Sequence, residues 1–290
     1  MLFGALLLWA LNVTVTKYMF QHGWLPLAYG TIRYFVAIVL FWAFTYYRER
    51  SFRIARSDVP RVLFAALMIF LNQFCFVYAL KLADASTVAM IFGATPVFVA
   101  VISVALGLER LQRAFWIGAG LTFLGVALIA LAAGSGHSAS LEGSLIAVGM
   151  AVTWACYTLG VAPLMSRYSP FRISSVVLLI GWLPLALVSG PQLTDQTYSF
   201  GWLVWVGLVY AVIGPLFLTT ILWFRAVAIV GASRASLFNN IQPFFAVLFA
   251  LLLLGETLHP LEIIGGVLIF AGIAVERVWH RVPVPAPPGD

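Results

Sequence analysis

Ten stretches of about twenty apolar residues follow one another along this chain, separated only by short polar breaks. Wound as a helix, such a stretch crosses roughly 30 Å of hydrocarbon, and a chain built almost wholly of them has little left to show to water. Of its 290 residues, 63% are hydrophobic and 9% are charged, where a soluble domain carries roughly a quarter charged. In lipid the same side chains can face acyl chains while each helix pairs its own backbone groups. The expected fold is all-α and integral to a membrane.

Breaks at charges, Pro and Gly place the spans near 1–20, 25–47, 61–80, 84–107, 114–133, 143–165, 170–189, 201–224, 231–254 and 260–278. The narrowest breaks are Lys81 to Asp84, between the third and fourth, and Arg225, Gly231 and Arg234, between the eighth and ninth. The first run begins at Met1 without a basic n-region, so it reads as a spanning helix and not as a cleaved signal. With the N-terminus cytoplasmic, one side collects Arg48, Arg50, Arg53, Arg56, Arg61, Arg110, Arg113, Arg167, Arg172, Arg225, Arg234, Arg277 and Arg281, and the other only Lys17 and Lys81. Lys and Arg gather on the cytoplasmic side of membrane proteins, so this asymmetry supports ten helices with both termini cytoplasmic. The Pro-rich tail at 282–290 is expected to be disordered.

The formal charge of +6 reports topology and not nucleic acid, because the basic residues are scattered between apolar runs and form no patch with interleaved aromatics. Cys75 and Cys156 sit within apolar segments and form no CxxC or Cys/His cluster, so no metal or cofactor is expected. HExxH and GxSxG are absent and all four histidines lie at ends or in loops, which argues against an intramembrane enzyme.

A repeat organises the chain. Ala79 to Ala127 overlays Ala226 to Ala274 without a gap: Ala85-Ser86 meets Ala232-Ser233, Pro96 meets Pro243, Glu109 meets Glu256, Gly118 meets Gly265, and Gly125 meets Gly272. Upstream, Trp9-Ala10 resembles Trp154-Ala155 and Pro26 resembles Pro170. Each half, 1–133 and 143–278, then holds five spans. Five is odd, so the second half enters the membrane from the opposite side, and inverted halves are the recurrent design of secondary transporters that open a midplane site alternately to each side. A channel filter usually needs a ring of equivalent segments, which two halves do not supply; a channel or a membrane scaffold stays open as an alternative.

Four stretches carry a resemblance: LLLWALNVTVTK at Leu6 to Lys17, IRYFVAIVLF at Ile32 to Phe41, YALKLADASTVAMIFGATPVFVAVISVALGLERL at Tyr78 to Leu111, and ASRASLFNNIQPFFAVLFALLLLGETL at Ala232 to Leu258. Through them the chain resembles the drug/metabolite transporter superfamily, in its ten-helix EamA-type branch, over essentially its whole length. The first repeat departs from the pattern, with Gly107-Leu108-Glu109 where the second has Gly255-Glu256. The resemblance implies a multi-pass permease of a bacterial-type inner membrane that exports amino acids or other metabolites. Among its members the chain resembles, on general similarity only, the YddG-type exporters of aromatic and other apolar amino acids. Another metabolite or drug-like solute fits the motifs equally well, and the oligomeric state, coupling ion and direction of flux are left open.

Candidate site residues follow from cost at membrane depth. Pro96 and Pro243 each remove a backbone hydrogen bond inside a span and free the carbonyls of Phe92 and Asn239, so those kinks should face the bundle interior. Asn239, Asn240 and Gln242 crowd the ninth span before its proline. Trp9 with Asn12 in the first span, Asn72 with Gln73 and then Tyr78 in the third, and Trp154 with Tyr157 in the sixth add amides and aromatic walls, suited to a zwitterionic or neutral organic solute. For each of these, bonding between helices is the competing role. Arg33 lies well inside the second span at a cost of about 2.5 kcal/mol or more; it either holds a substrate carboxylate or clamps backbone carbonyls. Glu109, Glu256 and the glycine pairs Gly118/Gly125 and Gly265/Gly272 read as architecture.

Overall fold

A computed structural model describes residues 1–107, 113–134, 140–230 and 241–279. Every regular element among them is helical. In order these are α1 (Leu2–Gln21), α2 (Pro26–Glu49), a 3-10 turn at Arg56–Asp58, α3 (Val59–Leu82), α4 (Ala85–Phe92), α5 (Thr95–Ala105), α6 (Arg113–Gly134), α7 (Leu141–Val161), α8 (Pro170–Val188), the short α9 (Gly190–Asp195), α10 (Trp202–Val212), a π-helical segment (Ile213–Leu218), α11 (Thr219–Val230), α12 (Gln242–Leu254) and α13 (Pro260–Trp279). Eight helical stretches are long and apolar enough to cross a membrane: Leu2–Gln21, Pro26–Glu49, Arg56–Leu82, Ala85–Ala105, Phe115–Ala132, Leu141–Val161, Pro170–Val188 and Trp202–Trp223. Gln242–Leu254 and Pro260–Val275 are apolar but shorter. The expected boundary between the eighth and ninth spans, the tail at 282–290, Glu109, Asn239 and Asn240 lie outside the described residues.

Local chemistry sets the helix ends. Proline stands in the first turn of α2, α3, α5, α8 and α12, where its missing N–H had no partner to lose. Ser140 caps α7 by accepting from Gly143 N at 3.0 Å, and Ser169 caps α8 by accepting from Arg172 N at 3.1 Å. Gly255, at φ +66°, closes α12 in the left-handed conformation that spares glycine a steric penalty.

The narrow break between the third and fourth spans is held by charge. Ala83 turns out of α3 in an extended conformation, and Lys17 Nζ donates to its carbonyl at 2.6 Å. The carboxylate of Glu256, just past α12, accepts from Ala85 N (2.8 Å), Ser86 N (2.9 Å) and Ser86 Oγ (2.6 Å). A cation thus meets the carboxyl end of α3 and an anion the amino end of α4, as the helix dipoles favour.

Packing follows a pattern that survives exchange of the two halves. α2 lies against α8, α6 against α13, and α4 against α12; α3 packs on α7 as α1 packs on α10, α11 and the π segment between them; α1 packs on α12 as α7 packs on α4 and α5. The α6–α13 contact is a backbone one: a Cβ added at Gly265 would stand 2.6 Å from the Gly125 carbonyl oxygen, and one at Gly272 would strike the Gly118 carbonyl oxygen. Large apolar side chains such as Phe35, Val39, Leu63, Leu67 and Leu252 point outward, a surface suited to acyl chains. At the arginine-rich end, buried Asp58 accepts from Arg167 Nη1 and Tyr168 Oη, both at 2.7 Å, and Glu49 pairs with Arg172 at 2.7 Å. These contacts tie the second–third loop to the sixth–seventh.

Candidate functional site

Proline and glycine break the helices around one internal space. The fourth span stops at Phe92 and resumes at Thr95, with Pro96 in the first turn of α5. The carbonyl of Phe92, freed by that proline, accepts from Thr95 Oγ1 at 2.5 Å, so the break satisfies itself. A Cβ on Gly93 would sit 3.0 Å from Pro243 Cγ, so this break abuts the start of α12. In the eighth span Gly214-Pro215 produces the π segment; the Pro215 carbonyl accepts from Trp9 Nε1 at 3.0 Å and the Gly214 carbonyl from Thr219 Oγ1 at 2.9 Å.

Between these irregular segments lies a cavity of about 170 Å³ lined by Trp9 and Asn12 of α1, Arg33 and Tyr34 of α2, Asn72, Gln73 and Phe76 of α3, Val88 and Phe92 of α4, Met150 and Trp154 of α7, Pro215 and Leu216, and Gln242 of α12. A second space of about 170 Å³ shares Phe92, Trp154 and Gln242 with it and reaches Thr95, Pro96, Thr158 and Pro243. Both halves of the chain contribute walls to each.

Among the described residues, Arg33 is the one charged side chain in the lining of either space, and it is 3% exposed. Its Nη1 donates to Asn12 Oδ1 at 3.2 Å and its Nη2 to Gln73 Oε1 at 3.0 Å, while Nε has no hydrogen-bond acceptor among the described residues. The guanidinium also lies over three rings, Tyr29 at 5.4 Å, Tyr34 at 5.5 Å and Phe76 at 5.2 Å, distances at which the negative ring faces attract a cation. The Gln73 side-chain nitrogen is also buried without a partner. Asn72 differs, because its Nδ2 donates to the Met150 carbonyl at 2.8 Å and so fastens α3 to α7.

The sequence candidates separate accordingly. Trp9, Asn12, Arg33, Asn72, Trp154 and Gln242 meet around the first space, and Pro96 and Pro243 border the second. Tyr157 stands behind the wall with its ring 5.3 Å from Trp154. Tyr78 is not in the lining: its hydroxyl accepts from Gln192 Nε2 at 3.2 Å, beside the amino end of α2, where Gln192 and Gln196 each accept a backbone N–H at 2.7 Å. Asn239 lies outside the described residues. Tyr34, Phe76 and Pro215 line the cavity without having been singled out. Gly214-Pro215 was the visible signal for the last, and Phe76 lies one helical turn beyond Asn72 and Gln73.

The family model described as EamA-like transporter family matches residues 1–131 and again 141–276. The chain belongs to that family. It is thus a membrane transporter, and the two matched segments meet where Trp9, Arg33, Trp154 and Gln242 line one space. Among relatives, it is 25% identical to "Uncharacterized transporter YetK" of Bacillus subtilis over 94% of this chain and 84% of that protein. It is 26% identical to "Probable amino-acid metabolite efflux pump" of Salmonella typhimurium over 94% and 92%, and 30% identical to "Probable terminal-alkyne amino-acid exporter" of Streptantibioticus cattleyicolor over 65% and 63%. One solved crystal structure, 21% identical, superposes with a TM-score of 0.65 over 97% of this chain and 96% of that one, a likeness of fold alone.

Proposed function

We propose that this EamA-like transporter is a ten-helix secondary carrier, with inverted halves at 1–133 and 143–278 and both termini cytoplasmic. In this reading it exports small organic metabolites, foremost amino acids with aromatic or other apolar side chains, across a bacterial inner membrane. The observation that carries this reading is the cavity walled by both halves, rich in aromatic faces and amides, between segments interrupted by Pro96, Pro215 and Pro243. Irregular backbone at membrane depth is tolerated where it lines a cavity, and carriers built from repeats bind at the repeat interface. The names of the efflux relatives point to amino acids.

In this proposal Trp9, Asn12, Arg33, Trp154 and Gln242 contact the solute, Asn239 joins them from the ninth span, Asn72 and Tyr157 support the wall, and Tyr78 acts at the end of the path beside α2. Pro96 and Pro243 mark the places where the helices bend between inward- and outward-open forms. Reconstitution tests it: saturable counterflow of apolar amino acids into proteoliposomes is expected, reduced by alanine at Trp154 or Gln242 in protein that still purifies folded. Unsaturable conductance would indicate a channel. Saturable exchange of other solutes with no amino acid among them would keep the carrier and discard the substrate.

A further inference from the structure

Arg33 brings a full positive charge into the bundle, and among the described residues it has ring faces and neutral oxygens around it but no carboxylate paired with it. Its two hydrogen-bond acceptors are the neutral amide oxygens of Asn12 and Gln73. The ion pairs found among the described residues all involve Asp58 or Glu49 at the arginine-rich end. A buried charge left uncompensated is costly, and a residue serving only to tie α1, α2 and α3 together through amide oxygens would do so more cheaply as a neutral donor. Beside the cation lies open volume where a packed wall would otherwise stand. Two buried donors on adjoining lining side chains, Arg33 Nε and Gln73 Nε2, have no acceptor among the described residues. One carboxylate offers two oxygens and one negative charge.

The other end of an amino acid finds no such welcome. Among the described residues neither space has an Asp, Glu or His in its lining, and residues 231–240, next to Gln242 in the chain, contain no acid. An ammonium there would meet ring faces such as Trp154 and Phe92 and the neutral oxygens of Gln242, Thr95 and Thr158, with no full negative charge from the described lining residues.

We infer that Arg33 is a carboxylate anchor and that the carrier reads the substrate's carboxylate while leaving its amine unread, so that apolar monocarboxylates with a free, acylated or absent amino group are all substrates. This deepens the transport reading above and rests on it. The test is counterflow at neutral pH with proteoliposomes, protein-free vesicles subtracted, using L-phenylalanine, N-acetyl-L-phenylalanine, 3-phenylpropionate, L-phenylalaninamide and phenethylamine. The three carboxylates are expected to exchange within about threefold of one another. The amide and the amine should fall by roughly tenfold or more, the size of one lost charge-assisted hydrogen bond. Arg33→Lys should retain the carboxylate preference with a raised KM, and Arg33→Gln should abolish the preference. Because Arg33→Gln also removes a buried structural contact, the wild-type panel alone decides the matter. Amide or amine exchanging as fast as the carboxylates, or 3-phenylpropionate failing where phenylalanine succeeds, overturns the anchor and leaves the carrier standing. Failure of all five compounds overturns the anchor together with the amino-acid reading.

Discussion

Glu256 lay in a helix-end motif that sequence alone assigned to architecture, yet its partner could not be named without the fold. The residues it holds, Ala85 and Ser86, are the repeat counterparts of Ala232 and Ser233, and the distance from Glu256 to α4 in sequence hides the contact. Three bonds to a helix amino end make a strong cap, and Glu256→Ala is expected to cost about 1–2 kcal/mol, read as a lowered melting temperature in detergent. An unchanged melting temperature would show that water replaces the carboxylate at no cost. Asp84, just before α4, supplies a pH test. Burial, then the nearby negative charge of Glu256, pushes its carboxyl up to about 6, with Lys17 opposing and Glu262 adding to the rise. The folded protein therefore holds this proton more tightly than the unfolded chain does, so the contribution is fully present below pH 4 and is lost as pH rises through about 6. Asp84→Asn should flatten that part of the melting-temperature profile, and an identical profile in the variant would exclude Asp84 as its source.

At the scale of helices, hydropathy located the apolar runs well, because a membrane-spanning helix announces itself by length and by the lack of charge. The break between α3 and α4 falls at Ala83, inside the interval marked by Lys81 and Asp84. Two features were hidden. Pro96 was legible as a kink, but the closeness of the gap it follows, at Gly93-Ala94, to Pro243 was not, because the two lie far apart in sequence. The π segment passed unremarked because Gly214-Pro215 sits in an apolar run that hydropathy reads as unbroken. As cavity lining, Trp9, Arg33 and Trp154 were legible because polar or aromatic groups at depth are costly or bulky. The place of Tyr78 was not, because an aromatic at a helix end can equally brace a loop, as it does with Gln192. The small-residue faces give the element-scale prediction. A side chain on Gly125 would collide with the Gly265 carbonyl, whereas one on Gly120 of the same helix meets nothing within 4 Å. Gly125→Leu should reduce the yield of monodisperse protein several-fold and Gly120→Leu should not; equal yields would show that α6 and α13 can separate without harm.

For the molecule as a whole, the proposed orientation predicts that single cysteines placed in the Arg48 to Arg61 loop and in the tail after Arg281, in a background lacking Cys75 and Cys156, are labelled from the same cytoplasmic face. Opposite sidedness would remove the ten-helix count and the inversion with it. Pairings such as α2 with α8 and α6 with α13 cross between the halves, so neither half encloses the cavity alone. The charge on the cavity wall bears on energy supply. In the proposed carrier cycle Arg33 returns to where it began, and only the passenger's own charge has crossed the membrane. A monocarboxylate without an ammonium then moves one negative charge outward, and an interior-negative potential performs that electrical work, about 2.3 kcal/mol per 100 mV, enough for a gradient of roughly fiftyfold. A zwitterion riding the same cycle draws nothing from the potential. In such a carrier the voltage favours expulsion of acids over amino acids without any co-transported ion, and the preference resides in the charge of the passenger that the arginine admits.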